Sequence, residues 1–568
     1  MCPADSSRIP VLLTAAVMTS VAAAVFLTPD AVPFPMDDSY IHVVYAENLA
    51  HTGHLEFNVG EFAGIGSTSI LWVLAIALLV KLGLSGVVAI KALSLLCLFM
   101  TLASVIWLLN EWVPRVAPRC PAWLRMVAAV LAGFSGNMIW FGLSGMETLC
   151  FLGLALLTLV FYARDNWIGV GIAAGLAVLT RLEGGALVVA LLVVHFIGKP
   201  GSKKADLVRL IAPAVLVFLL VFPWLAYLHS TTGEWLPTSF EGKKLVQGEA
   251  TREAFGDLGL SGLAQIGLVV VVGLWVAYAS LWVYGLGFGF PPSINHVGSE
   301  VGGGGVDIWL IGAALLGLVA LPLTVLGWSA LWRSRKRLLR DTHGRALVAF
   351  LLWTLLHNVS YAFLFPSLGT ASRYQALNHI LLWMVPLLGV AAMNRPTWQR
   401  VAFAGLAVML AANLIYWRGT YGANLKHMRE VRFAAAEWLN RTPGRTAAFD
   451  IGALRWHSEE PIVDLGGLSN ADFVDYQLSG RVGEFLKREG VTHLAIPCPH
   501  SEQGDMPFEL MEFLRLGTDR LFEPVEVARF EGSVEEWRRG FAPTFNYQPS
   551  VVIYEVRWKE PASKGPAR

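Results

Sequence analysis

The chain carries long apolar stretches that alternate with short polar segments from residue 11 to residue 415. Many of these stretches approach the roughly 20 residues that an α-helix needs to cross about 30 Å of hydrocarbon. We therefore predict a mostly α fold, a polytopic transmembrane helical bundle of about eleven spans. The predicted spans start near Val11, Val87, Trp123, Thr148, Trp167, Gly184, Leu207, Ile308, Ala346, Leu377 and Val401.

From residue 425 onward the pattern is that of a water-soluble domain. Short runs rich in β-branched residues predict strands at 446–450, 461–464, 492–496 and 551–555. Helices are expected at 430–440 and 482–489. We therefore divide the chain into a transmembrane domain over 1–424, with an outer loop at 29–67 that carries interfacial helices, and a soluble extracytoplasmic α/β domain over 425–568.

Composition supports a membrane protein. Hydrophobic residues make up 55% of the chain and charged residues 15%, with a mean hydropathy of +0.55. One soluble core cannot cover that much apolar surface, so lipid must cover the excess. The formal net charge of +1 gives no field that would attract nucleic acid. The five cysteines lack zinc-ligand spacing, and Cys498 is expected to be a buried thiol.

Two basic loops orient the predicted spans, and both are expected to be cytoplasmic. This orientation places the segment 30–67 and the chain after Tyr416 outside, provided that 68–81 lies in the interface and 258–290 begins and ends outside. We expect a multi-pass protein of the cell membrane. The basic residues are Lys199, Lys203, Lys204 and Arg209 in one loop and Arg333, Arg335, Lys336, Arg337, Arg340 and Arg345 in the other.

Two adjacent carboxylates, Asp37 and Asp38, follow the first predicted span. A carboxylate fixed at the membrane interface is partly desolvated, which makes it a better base. The alternative interpretation is that the acidic pair only marks where the chain leaves the bilayer. Apolar residues at helical spacing follow the pair and predict an interfacial amphipathic helix: Tyr40, Ile41, Val44, Tyr45 and Leu49.

A second polar cluster follows the span that starts near Leu207, on the same outer side. Lys243 and Lys244 are candidates to hold a phosphate at headgroup depth, with Thr238 and Ser239 as hydrogen-bond donors. The alternative is that the two lysines only extend to lipid headgroups.

Further charged residues stand at the borders of predicted spans. Arg373, followed by Tyr374, is a candidate phosphate ligand or an interface anchor. Arg181 and Glu183 interrupt two apolar runs, where a charge is costly; they are a functional pair or a structural one. Glu147 is interpreted as a helix cap.

The order of these segments resembles that of the GT-C superfamily of integral-membrane glycosyltransferases, in particular bacterial arabinofuranosyltransferase and mannosyltransferase-like members. The matching motifs are Asp37-Asp38-Ser39-Tyr40-Ile41, Phe57-Asn58-Val59-Gly60-Glu61, Thr68-Ser69, Gly145-Met146-Glu147-Thr148, Thr180-Arg181-Leu182-Glu183-Gly184, the stretch from Leu236 to Lys243, and Arg373-Tyr374. Ile70 stands where the family usually has proline. The resemblance spans Asp37 to about Leu388.

The resemblance implies a catalytic transmembrane domain that uses a polyprenyl-phosphate-linked sugar donor and a glycan, lipid or protein acceptor. It implies that Asp37 is the base and Asp38 its partner. A lipid-phosphate leaving group is a stable anion and needs cations rather than a second acid. Inversion at the anomeric carbon is expected. The donor phosphate is assigned to Lys243, Lys244, Arg373, Tyr374 and Arg181, and further substrate contacts to Tyr40, His42, Glu183, Thr238 and Ser239.

No metal ligand is assigned, although Asp37 and Asp38 could share a divalent cation, Mg or Mn, with the donor phosphate. Members of the superfamily that use lipid monophosphates often resemble metal-free enzymes. Besides its substrates, the expected partners are membrane lipids, and nucleic acid is not among them.

Two other function classes stay open. A transporter or flippase of lipid-linked sugars would also need intramembrane Arg181 and Glu183, but no internal repeat is visible in the sequence. A receptor-like membrane protein would place its activity in the outer α/β domain. Sugar transfer by the wild type and its loss on replacement of Asp37 would separate an enzyme from both.

Overall fold

The computed structural model describes ten segments of the chain, and most of their residues are helical. The described residues are 8–27, 32–61, 65–198, 203–237, 308–364, 370–470, 472–500, 510–517, 519–533 and 549–559. The helices before the sheet are α1 Arg8–Phe26, α2 Asp37–Thr52, α3 Ile70–Lys81, α4 Gly86–Val116, α5 Ala122–Gly133, α6 Gly136–Leu143, α7 Thr148–Ala163, α8 Trp167–Thr180, α9 Gly184–Gly198, α10 Lys203–Thr232, α11 Ile308–Leu338, α12 Thr342–Leu364, α13 Ala376–Ala391, α14 Pro396–His427 and α15 Ala434–Asn440.

A helix lies at each of the eleven predicted span starts, but the number of spans stays a prediction. Within the described ranges, four helical stretches are long and apolar enough to cross a membrane: 86–116, 209–232, 373–391 and 396–440. The α5–α6 pair is bent by 52° and would be a fifth span if it crosses as one unit. Shorter apolar helices, such as α8, cover only about 21 Å at 1.5 Å per residue, less than the hydrocarbon thickness.

The membrane helices pack closely where glycine replaces a larger side chain. A Cβ atom on Gly327 of α11 would lie 2.0 Å from the carbonyl oxygen of Val385 in α13, and one on Gly389 would lie 2.1 Å from that of Leu323. Two helix backbones can approach this closely only at glycine. The α11–α13 contact is therefore fixed by these two residues.

The last membrane helix continues toward the outer sheet. After α14 the helix passes through a π-helical turn, Met428–Phe433, directly into α15. Beyond it lie α16 Gly452–His457, α17 Phe473–Leu478, α18 Val482–Arg488 and α19 Leu510–Phe513. The strands are β1 Arg445–Ala448, β2 Ile462–Asp464, β3 Val491–Cys498, β4 Phe522–Glu531 and β5 Ser550–Trp558.

The five strands form one mixed sheet in the order β2-β1-β3-β5-β4. Strand β1 runs parallel to β2 and β3, whereas β5 is antiparallel to both β3 and β4. The four predicted strands are confirmed, and β4 was missed. Side chains alternate across the sheet, as a strand period of two requires: Leu494 and Ile496 join the core on one face, and Ala495 joins the core of the membrane helices on the other.

The α11–α13 contact gives a testable prediction for Gly327→Ala. The added methyl group forces the two backbones apart, and overpacking of this kind typically costs about 1–3 kcal/mol. We expect a lower unfolding midpoint of the purified protein in detergent. The control is Gly405→Ala in α14, where a Cβ meets no atom within 4 Å and alanine is the better helix former; equal midpoints for the two variants would contradict the packing.

Candidate active site

The two predicted catalytic carboxylates occupy the first turn of α2 and point in different directions. The positive end of the helix dipole favours acidic residues at this position. Consecutive residues on an α-helix are about 100° apart, so the two side chains cannot share one environment. Asp37 is buried, with 3% of its surface exposed, whereas 41% of the Asp38 side chain is exposed.

Asp37 binds the start of α16. Its Oδ2 accepts the Gly452 N–H and its Oδ1 accepts the Ala453 N–H, both at 2.8 Å. Gly452 is required here, because a Cβ on it would lie 2.1 Å from the Asp37 carbonyl oxygen. Burial and the nearby Asp450 carboxylate raise the pKa of Asp37, although the Arg432 guanidinium opposes the shift.

Asp450 lies next to Asp37 and pairs with a fully buried arginine. The Arg432 NH2 group is 2.6 Å from the Asp450 carboxylate, and the Arg432 side chain has no exposed surface. A buried guanidinium is tolerated only where carboxylates and hydrogen-bond acceptors surround it. Two carboxylates and one guanidinium therefore hold the π-helical turn, the start of α16 and the start of α2 together.

Asp38 faces the membrane domain and pairs with Arg373. The Arg373 NH2 group is 2.5 Å from the Asp38 carboxylate and 3.2 Å from the Tyr374 hydroxyl. Arg373 lies in a 3₁₀ turn, residues 370–375, that leads into α13. It is 7% exposed, its NH1 group meets only the Met36 sulfur at 3.6 Å, and its Nε has no acceptor among the described residues.

Arg181 is the centre of a second polar network. It stands in extended conformation at the break between α8 and α9. Its NH1 group is 2.8 Å from Glu147, and its NH2 group is 2.8 Å from Glu183 and 3.0 Å from the Tyr361 hydroxyl. Tyr361 in turn donates to Glu183. The donors of Arg181 are thus directed at two carboxylates and one hydroxyl, and its assignment to the donor phosphate stays a prediction.

Glu147 extends this network to α2. Its Oε2 lies 3.3 Å from Nε2 of His42, and the Ser67 hydroxyl is 3.3 Å from Nδ1 of the same ring. The expectation that Glu147 caps a helix is wrong: it occupies the N-cap position of α7, but its side chain makes no capping hydrogen bond. The carboxylate instead neutralises Arg181, because a buried guanidinium needs a charged partner more than a helix end needs a cap.

Tyr374 lies between the two arginines. The Arg181 guanidinium is 4.8 Å and the Arg373 guanidinium 5.1 Å from the centre of its ring, distances at which cations and aromatic faces attract. Its carbonyl oxygen accepts a hydrogen bond from His357 Nε2 at 2.7 Å. The ring therefore joins the Asp38–Arg373 pair to the Arg181 network.

Tyr40 lies among aromatic side chains, on the side of α2 away from Arg373. Its ring packs against Phe34, Phe433 and Trp456, and its hydroxyl donates to the Phe34 carbonyl oxygen at 3.0 Å. Four further candidates, Thr238, Ser239, Lys243 and Lys244, lie outside the described residues, as does the predicted outer segment 258–290. Their assignment stays a prediction.

The carboxylates at the start of α2 do not fit a resident divalent cation. Both Asp37 oxygens face backbone N–H groups and Asp38 faces a guanidinium, so donors stand where a cation would bind. In the part of the chain that the structure describes, no group of three or more His, Cys, Asp or Glu side chains is placed to hold a metal.

The outer loop also contacts the sheet through the Phe57–Glu61 motif. The Asn58 amide donates to the Ile462 carbonyl oxygen at 3.0 Å and accepts from Arg455 at 2.8 Å. Glu61 pairs with Arg445 at 3.0 Å. Sequence reasoning left these contacts out, as it did Arg432, Met36 and Tyr361. No sequence signal singled out Arg432, because the helix from α14 to α15 also carries Arg418, Lys426, Arg429 and Glu430.

The fold is found in solved membrane enzymes. The chain superposes on the archaeal oligosaccharyltransferase AglB from Archaeoglobus fulgidus, in complex with an inhibitory peptide and a dolichol-phosphate, with a TM-score of 0.51 and 13% identity, covering 87% of this chain and 69% of that one. AglB is a GT-C glycosyltransferase. The chain has the GT-C fold.

Two other GT-C structures match with lower TM-scores. ArnT from Cupriavidus metallidurans in the apo state gives 0.49 at 14% identity, with 97% of this chain and 98% of that chain covered. Arabinofuranosyltransferase AftD from Mycobacteria gives 0.42 at 15% identity, with 98% and 40% covered. A family model described as a domain of unknown function, DUF8728, matches residues 422–531. No curated protein matches the chain.

The raised pKa of Asp37 predicts how its contribution to stability depends on pH. Burial raises this pKa from 3.8 to about 7, so the folded state favours the protonated acid. The contribution of Asp37 is fully present below the unfolded pKa and is lost as pH rises through the folded value. We expect the unfolding midpoint of the wild type, relative to that of Asp37→Asn, to fall between about pH 4 and about pH 7 and to stay level at higher pH, where both states are ionised.

The control for this measurement is Glu484→Gln on α18, because the Glu484 side chain is 52% exposed. Its midpoint relative to the wild type should vary much less over the same range. A midpoint difference for Asp37→Asn that rises with pH would mean that the ionised form is the one stabilised by Gly452 and Ala453.

Proposed function

We propose that the chain is a membrane glycosyltransferase that moves a monosaccharide from a polyprenyl-phosphate donor to an extracytoplasmic glycan, lipid or protein acceptor. The observation that carries the proposal is the pairing of a partly exposed carboxylate, Asp38, with a buried guanidinium, Arg373, that has unused hydrogen-bonding capacity. The GT-C fold supports the same class of reaction, since the superposed AglB is an oligosaccharyltransferase whose structure contains a dolichol-phosphate.

Arg373 is the proposed ligand of the donor phosphate. Among the described residues its Nε has no acceptor and its NH1 group meets only a sulfur, so both groups have hydrogen bonds left to donate to phosphate oxygens. A bidentate phosphate contact joins NH2 to either Nε or NH1, and it stabilises the negative charge that grows on a leaving phosphate. In the AglB structure the bound lipid is a dolichol-phosphate, a ligand of this chemistry.

Asp38 is the proposed base. When phosphate oxygens bind Arg373, they compete with the Asp38 carboxylate for its NH2 group, and the carboxylate is released toward the acceptor. Asp38 takes the proton of the acceptor hydroxyl while that oxygen forms its bond to the anomeric carbon. The bond from this carbon to the phosphate oxygen breaks, and the polyprenyl phosphate leaves with the electron pair.

Asp37 is proposed as a positioning residue. Both of its oxygens are bound to backbone N–H groups and 3% of the residue is exposed, so an acceptor hydroxyl cannot reach it without displacing α16. The resemblance assigned the base to Asp37; the burial of this carboxylate favours Asp38 instead. The link to Gly452 and Ala453 brings the outer domain, residues 425–568, next to the site, where it would bind the acceptor.

The site is proposed to open to the outer face of the membrane. Both basic loops carry clusters that favour the cytoplasmic side. This orientation places the residues before α1 in the cytoplasm, and one predicted span, α1, then places the start of α2 outside. Lys243 and Lys244, which follow α10, remain proposed as additional phosphate ligands on the same side.

Loss of the proposed base should abolish turnover without unfolding the protein. For Asp38→Asn we expect kcat to fall by about 10²–10⁴-fold, the usual contribution of a general base. For Arg373→Gln we expect a loss of both kcat and apparent donor affinity, because the phosphate contact forms in the ground state and strengthens in the transition state. The assay measures release of polyprenyl phosphate from a panel of synthetic polyprenyl-phosphate monosaccharides.

The matched control for the carboxylate is Asp475→Asn on the exposed side of α17, which should keep wild-type turnover. Turnover that survives Asp38→Asn but is lost in Asp37→Asn at an unchanged unfolding midpoint would return the role of base to Asp37. Unchanged turnover in both variants would refute the proposed site.

A single carboxylate base and a phosphate leaving group predict inversion at the anomeric carbon. Asp37 is bound to backbone N–H groups of Gly452 and Ala453 and Asp450 to Arg432, so neither carboxylate is proposed as the nucleophile of a double displacement. Nuclear magnetic resonance of the product should show the anomer opposite to that of the donor. Retention would require a covalent sugar intermediate and would contradict the mechanism.

A further inference from the structure

A cavity of about 520 Å³ lies at the opposite end of the helices from Asp38, in the region that the basic loops place in the cytoplasm. It is formed by the end of α4 and the turn after it, the end of α11, and the end of α13. The lining residues are Val116, Ala117, Pro118, Arg119, Ala330, Arg333, Ser334, Lys336, Arg337, Arg340, Ala391, Ala392, Met393 and Asn394.

The charged residues that line the cavity are all cations. Five of the lining residues are Arg or Lys and none is Asp or Glu, and none of the five forms an ion pair with a described residue. Arg115, one turn earlier on α4, differs from them: it pairs with Glu111 and Asp341, both at 3.0 Å. The nearby carboxylates of Glu111 and Asp341 therefore pair with Arg115 rather than with the cavity lining. The cavity keeps its positive charge.

Local hydrogen bonds hold the cavity wall in place without neutralising it. Ser334 donates to the Val116 carbonyl oxygen at 3.4 Å, and the Arg337 NH2 group donates to Ser334 at 3.1 Å. Asn394 adds an uncharged polar side chain to the lining. A concave group of guanidinium, ammonium, hydroxyl and amide donors suits the oxygens of phosphate.

An apolar face of α11 leads up to the cavity. Leu321, Val325, Trp328 and Trp332 recur at helical spacing, and each is exposed, Trp332 by 68%. Exposed tryptophans on such a helix are typical of the membrane–water interface. Lys336, one turn beyond Trp332, belongs to the cavity lining. The apolar face and the cationic cavity are therefore continuous on one helix.

We propose that this cavity binds the phosphate headgroup of an anionic phospholipid, whose acyl chains lie along the exposed face of α11. The combination favours a lipid over a soluble phosphate, because the apolar face adds a contact that only an acyl chain can fill. Basic cavities between membrane helices on the cytoplasmic side bind anionic headgroups by this chemistry. The site is separate from the Asp38–Arg373 pair and does not depend on the proposed transferase activity.

The test is native mass spectrometry of the full chain purified from nanodiscs that contain phosphatidylcholine with phosphatidylglycerol or cardiolipin. The wild type should retain anionic lipid in preference to phosphatidylcholine. The double variant Arg333→Gln, Arg337→Gln should retain it about 25-fold less, given a contribution near fivefold from each cation. Arg333 and Arg337 are both exposed, so their replacement should not disturb the fold. An unchanged unfolding midpoint of the double variant will show that it folds.

Two controls make the result specific. Arg400→Gln removes a positive charge from α14 at an exposed residue that does not line the cavity; it should retain lipid as the wild type does. The double variant Arg333→Lys, Arg337→Lys should recover most of the binding.

Two outcomes would overturn the proposal. Equal loss in Arg400→Gln and in the cavity double variant would mean that only total positive charge matters. Displacement of the lipid by millimolar inorganic phosphate or pyrophosphate, or binding of pyrophosphate to the lipid-free protein with the same dependence on Arg333 and Arg337, would assign the cavity to a soluble phosphate instead.

Discussion

Burial of charge within apolar helices is the constraint on which the site depends. Arg181 stands at a helix break with 11% of its side chain exposed, and a guanidinium in that position must be surrounded by carboxylates and acceptors. Its partners come from the starts of α7 and α9 and from α12: Glu147, Glu183 and Tyr361. These contacts hold α7, α9 and α12 around the Arg181 guanidinium. The Tyr374 ring lies against both guanidinium groups and so connects Arg373 to the same network.

The same constraint fixes the outer domain. Arg432 is fully buried beside Asp450, and Asp37 supplies acceptors for two N–H groups at the start of α16. The continuous helix from α14 to α15 connects the membrane helices to the sheet domain. The polar contacts of Asp37 and Arg432 set the orientation of the sheet domain. The fold thus places the sheet domain next to the start of α2, so that Asp37 is bound to backbone N–H groups of α16 and Asp38 stays partly exposed beside Arg373.

Much of this architecture could be predicted, because helix positions and strands follow from local hydrophobic patterns. Strand β4 was missed since its residues, such as Glu523, Pro524 and Glu526, lack the clear alternation of a buried strand. The motif order brought together residues that the structure places in one site, Asp38, Arg373 and Tyr374. What could not be predicted are contacts across hundreds of residues, such as Asp37 with Gly452, which decide that two adjacent carboxylates have different environments.

The central claim is that Arg373 binds the phosphate of a lipid-linked sugar beside Asp38. Its most direct test is a cryo-electron microscopy structure of the full chain in nanodiscs with a polyprenyl monophosphate. We expect phosphate density within hydrogen-bond distance of the Arg373 NH2 group and of either Nε or NH1, with the Asp38 carboxylate moved away from NH2. Lipid phosphate bound elsewhere, with the Asp38–Arg373 pair intact, would contradict it.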